Sequence, residues 1–441
     1  MSQKESSQSI SNGNNNGVKN NGEEGSKAIA PNTSDERDPA YFHYYGQLTH
    51  QQNMLQDVVR TSTYRNAILQ NPSLFQDKLV MDIGAGSGIL SYFAAQAGAK
   101  VIAVEASNMA LKLKKILDSS NKGQTNLWMK DRIKVVIGKI EEAKLNIEKV
   151  DTIISEPIGV MLVHERMIES YIYARDHYLK PGGAMVPSSG GLYLAPFTDA
   201  ALWSETMMKA RFWEQTNFYG VDLSPLQWDA KEESFMMPVV GYFDPNSLVA
   251  TPNTPYVVDF TTITMEELFE FEIPFSWTCS YTGIIHGISS WFDIHFNPPS
   301  GTPNAVNISM STGPFAERTH WQQVRFLLKE PLAVNAGQNV VGTMKFKVNE
   351  MRSYDLTSVM VLVQPGQAPT EAGIIREGAW SLHEQTYNYT YAGPTAGDVY
   401  PETNGMYVPE QELKQTVQVG VQNPVNGTFE LNSATTSTTN N

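Results

Sequence analysis

Two glutamates, Glu156 and Glu165, bracket the apolar turn Pro157-Ile158-Gly159-Val160-Met161-Leu162-Val163. Paired carboxylates across a turn suit a delocalised cation. A guanidinium is planar and protonated at every accessible pH, so charge-assisted and partly bidentate hydrogen bonds can hold it. The same grip biases the positive charge toward one nitrogen and leaves another to attack an electrophilic carbon. By spacing alone the pair also fits a loop cap at Glu156 and a helix start at Glu165, where an acid complements the helix dipole.

A second candidate is Val80-Met81-Asp82-Ile83-Gly84-Ala85-Gly86-Ser87-Gly88. Glycines between a strand and a helix let a ligand lie against bare backbone near a helix N-terminus, although they also occur in a purely structural turn. Glu105 ends the following apolar run KVIAVE, where an acid can accept both hydroxyls of a ribose. Dinucleotide loops read GxGxxG, whereas the sixth position here is Ile89. Asp82 sits awkwardly beside a diphosphate but suits a ligand carrying an ammonium and a sulfonium. These points favour S-adenosyl-L-methionine, with S-adenosyl-L-homocysteine as product and no metal. Glu141 and Glu142 in GKIEE fit either an adenine amino group or a solvated acidic turn.

Several elements must position these groups. NMLQDVVRTSTYRNAILQ, residues 53–70, carries apolar residues at helical spacing around a polar break and predicts helix, turn, helix. LVMDI, KVIAVE, IKVVIG and VDTIIS read as strands, with SGILSYFAAQAGA and NMALKLKKILDSS as helices between them. That alternation predicts a parallel sheet covered on both faces, an α/β Rossmann-like domain. After Pro187, aromatic and β-branched runs such as GLYLAPF, PYVVDF, FEIPFSWTCSYTG and WFDIHF predict an antiparallel, barrel-like β domain. A helical excursion over about 198–222 interrupts it with large apolar groups.

With 441 residues and 41% hydrophobic content, the chain can form two or three domains with real cores. Residues 1–38 and 394–441 are poor in apolar residues and predict disordered tails around domains at 39–187 and 188–393. The start lacks a secretory signal, the lone Cys279 excludes an internal disulfide, and no apolar run reaches about 18 residues. A soluble protein of nucleus and cytoplasm without a membrane span is expected. The formal charge of -14 opposes a generic grip on nucleic acid and would attract basic partners.

SEPIGVMLVHERMIES resembles the double-glutamate loop of the type I protein arginine N-methyltransferases, and Thr319-His320-Trp321 resembles their threonine-histidine-tryptophan loop. YFHYYG at 41–46, QQNMLQDVVRTSTY at 51–64, MDIGAGSGILSYFAAQAGA, AVEAS and GKIEE follow the family's order. The likeness covers roughly residues 40–393 and is strongest to the coactivator-associated branch. It implies transfer of methyl groups to protein arginine, giving monomethyl- and asymmetric dimethylarginine, with Glu156 and Glu165 holding the guanidinium and Tyr45 orienting it. Tyr41 and Phe42 would cover the adenosyl group, Gln51 and Met54 line the pocket, and Arg60 pair with the methionyl carboxylate. Gly84 and Gly86 would approach the methionyl portion together with Asp82 and Glu156, Glu105 the ribose, and Glu141 and Ser170 the adenine. His320 and Asp57 would pair across the two domains and could collect the released proton. Met54 and Met167 would bias the second methyl onto the nitrogen already methylated.

The resemblance further implies a homodimer formed through the 198–222 arm, histones and RNA-binding proteins as substrates, and a role in transcription and chromatin. Ala85 stands where the nearest relatives have cysteine, Val160 replaces a common tyrosine, and GQTNLWMK at 123–130 is a short insertion. Two other readings are a catalytically silent scaffold and a methyltransferase with a non-protein substrate. Intact Glu156, Glu165, Arg60 and Glu105 argue against the first, and paired glutamates that suit a cation against the second.

Overall fold

A computed structural model describes residues 38–388 except 144, 146 and 364–372. Both expected tails lie outside the described residues, apart from Asp38. Grouped with the arm by composition, Asp38 instead opens helix α1 (Asp38–Tyr45) and is buried there. Helices α2 (Leu48–Gln56) and α3 (Val58–Leu69) follow, separated by the single residue Asp57. Its backbone N–H donates to the Met54 carbonyl at 3.3 Å and closes α2. Its carboxylate accepts from the Arg60 N–H at 2.9 Å and caps α3. The polar break read from the sequence is therefore a shared cap.

Next come β1 (Leu79–Ile83), α4 (Ile89–Gln96), β2 (Lys100–Glu105), α5 (Met109–Asn121), β3 (Ile133–Ile137), β4 (Val150–Ser155), α6 (Met167–Tyr178) and β5 (Leu179–Val186). The five strands form an all-parallel sheet in the order β3-β2-β1-β4-β5. Buried Val80, Met81, Val101, Ile102, Ile153 and Ile154 explain the near-continuous apolar runs of its central strands. The order reverses at β1 and β4, so the segments after these two strands leave the sheet on either side of one crevice. They are the glycine loop and the double-glutamate loop.

The rest of the chain contributes β6 (Ser189–Phe197), α7 (Ala200–Arg211), α8 (Gln227–Met236), β7 (Val239–Gly241), β8 (Tyr256–Asp259), α9 (Met265–Phe269), β9 (Glu270–Thr278), β10 (Gly283–Phe296), β11 (Ile308–Ser311), β12 (Gln323–Val334), β13 (Asn339–Asn349), β14 (Ser353–Val363), β15 (Ile374–Ser381) and β16 (Thr386–Tyr387). One sheet runs β16-β7-β12-β10-β6-β8 with β11 on β10, the other β15-β14-β13-β9; only the β16–β7 pair is parallel. Strict alternation on β9 buries Phe271, Ile273, Phe275 and Trp277 and turns Glu270, Glu272 and Ser276 outward. This is the predicted α/β arrangement, a Rossmann-like sheet followed by antiparallel barrel-like sheets, and one apolar core runs through both.

The helical excursion is longer than about 198–222. After α7 the chain turns and continues through α8 to Met236, with Trp203 packed beside Phe235. In α8 the sequence QWDAKEESFM buries only Ala230 and Phe235, too few apolar positions to register as a helical stripe. Among the described residues no helix is long and apolar enough to cross a membrane.

Candidate active site

A cavity of about 620 Å³ occupies the crevice, lined by the glycine loop, α1, α2, both glutamates and the His320-Trp321 turn. Gly84 and Gly86 have φ of +69° and +53°, and a side chain at Gly86 would strike the Gln51 amide. The Gly86 N–H donates to Glu105 Oε2 and the Ser107 N–H to Glu105 Oε1, each at 2.7 Å. The Ser87 N–H donates to Gln51 Oε1 at 3.0 Å. Glu105 thus holds the loop while its remaining lone pairs stay available to hydroxyl donors.

Asp82 does not line this cavity, contrary to the sequence reading. It is wholly buried in β1 and accepts from the Ser91 hydroxyl at 2.6 Å. Burial raises its pKa to about 7. Its carboxylate meets α4 at Ser91, whereas the next residue of β1, Ile83, lines the cavity.

The double-glutamate loop is bent into an uncommon backbone. Met161, Leu162, Glu165 and Arg166 all have positive φ, between 54° and 72°. Such residues cost about 1 kcal/mol or more each and persist only where their surroundings over-determine them. Gly159 allows the loop to close, since any side chain there would collide with the His164 carbonyl. The Trp321 indole N–H donates to the Ile158 carbonyl at 3.2 Å, and Arg166 forks onto Glu169 at 2.5 and 3.0 Å.

Both glutamates meet partners from the N-terminal helices. The Tyr45 hydroxyl lies 2.8 and 2.7 Å from the two Glu165 oxygens, and the Tyr41 hydroxyl donates to Oε2 at 3.1 Å. Burial lifts the Glu165 pKa, and the tyrosine hydrogen bonds only partly offset that rise. Arg60 donates through Nε to Glu156 Oε2 at 2.9 Å and also through its terminal Nη2. The residue expected to hold a cofactor carboxylate therefore rests on one of the two glutamates.

His320 and Asp57, 263 positions apart, do meet. Both the backbone N–H and Nδ1 of His320 reach Asp57 Oδ2, at 2.8 and 2.7 Å. Burial would raise the Asp57 pKa, but hydrogen bonds from the His320 side chain and from backbone N–H groups bring it below the ordinary value. The Ser170 hydroxyl donates to Glu141 Oε1 at 2.5 Å, so this pair also converges on the cavity wall, whereas Glu142 is exposed. Phe42, Met54, Met167 and Val160 line the same cavity. The 123–130 segment forms a surface turn anchored by buried Met129.

Three participants carry no local sequence signal. Asp38 pairs with Lys139 from the loop after β3 and with Arg352 from the β13–β14 turn, the latter at 2.5 Å. The Arg352 guanidinium lies 4.4 Å from the centre of the Tyr41 ring. Only the folded chain brings these three together.

Comparison with known proteins places this geometry. The "Probable histone-arginine methyltransferase 1.3" of Arabidopsis thaliana is 42% identical over 379 residues, covering 86% of this chain and 68% of that protein. This chain belongs to the protein arginine methyltransferase family. Residues 188–362 match the arginine methyltransferase oligomerization subdomain, and residues 67–189 match ribosomal protein L11 methyltransferase. A probable histone-arginine methyltransferase of Oryza sativa subsp. indica is 45% identical over 355 residues, 80% of this chain. The chain spans 65% of the length of that rice methyltransferase. Among solved arginine methyltransferases, the Trypanosoma brucei PRMT1 enzyme–prozyme heterotetrameric complex with AdoHcy superposes with a TM-score of 0.65 at 29% identity, covering 77% of this chain and 99% of that one.

Proposed function

We propose that this protein transfers methyl groups from S-adenosyl-L-methionine to guanidino nitrogens of arginine in proteins, histones among them, giving monomethyl- and asymmetric dimethylarginine. One observation carries the reading: Glu156 and Glu165 open onto the same cavity as the bare Gly84–Gly86 backbone and Glu105. The donor set fits the cofactor. Gly84 and Gly86 present bare backbone to the cavity, Glu105 keeps lone pairs for hydroxyls, and Arg60 is a buried cation suited to a carboxylate. The solved Trypanosoma relative, a complex with AdoHcy, supports the same choice.

When bound, the cofactor supplies an electrophilic methyl carbon on a sulfonium. The chain's own residues do the rest. Glu156 and Glu165 grip the guanidinium, draw its charge to their side and hold the remaining nitrogen toward that carbon. Tyr45 and Tyr41 keep the Glu165 carboxylate in one orientation. Alignment of this kind lowers a barrier by up to about 7–11 kcal/mol in well-oriented systems. His320, held by Asp57, can take the proton released once the nitrogen is methylated. Met54 and Met167 restrict the space beside the methylated nitrogen and favour the asymmetric product.

We infer a homodimer, built through α7, α8 and the turn between them. That arm leaves Met208, Tyr219 and Trp228 71%, 94% and 68% exposed, large side chains that a partner's surface would cover. The decisive assay is transfer from labelled S-adenosyl-L-methionine to an arginine-bearing histone peptide, wild type against Glu165→Gln, with mass spectrometry of the product. Symmetric dimethylarginine, or an inactive wild type that still binds cofactor, would overturn the proposal.

A further inference from the structure

The backbone of the double-glutamate loop needs external support at one point. Glu165 and Arg166 have φ of 72° and 56°, a conformation that neither residue favours. The support comes from the opposite end of the chain. His164 Nδ1 lies 2.8 Å from the Ser353 hydroxyl, and the Gln385 amide nitrogen lies 3.0 Å from His164 Nε2. An amide nitrogen only donates, so His164 Nε2 accepts and the ring proton sits on Nδ1, donating to Ser353. Burial, with His383 nearby, lowers the His164 pKa to about 4, which keeps this tautomer neutral. Next to Ser353, Arg352 donates to the Glu165 carbonyl at 3.4 Å and rests on the ring of Tyr41, itself a donor to Glu165.

We infer that His164, Ser353, Gln385 and Arg352 are positioning residues that fix Glu165 for the guanidinium. The β13–β14 turn and the approach to β16 thereby take part in methyl transfer by acting through Glu165. This inference rests on the function proposed above. It separates the barrel-like sheets' contribution to catalysis from their contribution to folding. A bracket that only stabilised the fold would change melting behaviour and leave turnover alone.

The test uses the full chain with saturating S-adenosyl-L-methionine and an arginine peptide. Ser353→Ala and Gln385→Ala are each expected to lower kcat by about 10- to 100-fold, the scale of a displacement near 1 Å. Their affinity for S-adenosyl-L-homocysteine, read by calorimetry, stays within about 2-fold of wild type, because the cofactor wall is untouched. His164→Asn, whose amide can still donate toward Ser353, should retain more activity than His164→Ala. If His164→Ala fails to fold, the Ser353 and Gln385 variants decide. Wild-type kcat in those two variants, or parallel losses of kcat, cofactor affinity and melting temperature, would overturn the inference alone. A wild type that transfers no methyl group would overturn the underlying function as well.

Discussion

Tyr45 and Glu165, 120 positions apart, share one hydroxyl: it lies within 2.8 Å of both carboxylate oxygens, on the wall of the cavity that also holds the glycine loop. The tyrosine therefore bears on the proton affinity of the glutamate as well as on its orientation. Burial raises the Glu165 pKa, and the hydrogen bonds from Tyr45 and Tyr41 pull it back.

A pH dependence follows. On the proposed function Glu165 is ionised to hold a guanidinium, so methyl transfer should rise as pH climbs through its elevated pKa. The acid limb of kcat/KM should lie above the ordinary glutamate value near 4.3. Tyr45→Phe removes one lowering influence, so the limb should move further up and activity at neutral pH should fall. A pH–rate profile of the two proteins checks this; an unmoved limb in the variant would reject it.

The Arg60–Glu156 pair is almost fully buried, with side-chain exposures of 7% and 12%. Removing one member strands the other charge, at a cost of about 3–5 kcal/mol. Arg60→Met should therefore destabilise the fold strongly and weaken cofactor binding. Arg60→Met with Glu156→Gln should be less destabilised than the sum of the two single variants. Denaturant titrations across the four proteins measure that difference, and strict additivity would argue against the pair.

Most of the architecture is legible in the sequence because its physics is local. Alternation and apolar runs mark the strands from Leu79 to Ser155, and the aromatic spacing of Phe271, Phe275 and Trp277 marks a half-buried sheet. β5 is not legible: LKPGGAMV carries a Pro and two Gly, which read as a turn. In the site, Glu105 at the end of β2 and Glu156 just after β4 stand out by position, and Glu165 by its pairing with Glu156 across an apolar turn. Asp82 misleads, since its place beside the glycines in sequence says nothing about the face of β1 from which it projects. Arg352, Ser353 and Gln385 are silent, because their role exists only once the β13–β14 turn reaches the double-glutamate loop.

Asp82 also makes stability depend on pH. Its folded pKa is about 7 and its ordinary value 3.8, so the folded chain binds this proton more tightly than the unfolded one. The resulting contribution is complete below 3.8 and is lost as pH rises to about 7, at roughly 1.4 kcal/mol for each unit of pKa difference. Asp82→Asn keeps an acceptor for Ser91 and carries no titrating proton. Unfolding free energies at pH 5 and pH 8 should then differ less in the variant than in wild type. An equal slope in both would place the pH dependence elsewhere.

The arm provides the last test. Leu202, Met207 and Phe235 are buried and tie α7 and α8 to the sheet that contains Phe197 and Leu327. Tyr219 and Trp228 extend outward from the same arm and contribute nothing to that core. Replacing both with Asp should leave the protomer folded, since neither change creates a cavity or buries a charge. If these side chains seal the proposed homodimer, the double variant should sediment as a single species near 49.0 kDa, where the wild type gives twice that mass. Methyl transfer should fall with it if the arm docks on the partner's cofactor domain, as the family resemblance implies. A double variant that still dimerises would move the interface away from this surface. A monomeric variant with full activity would separate assembly from catalysis.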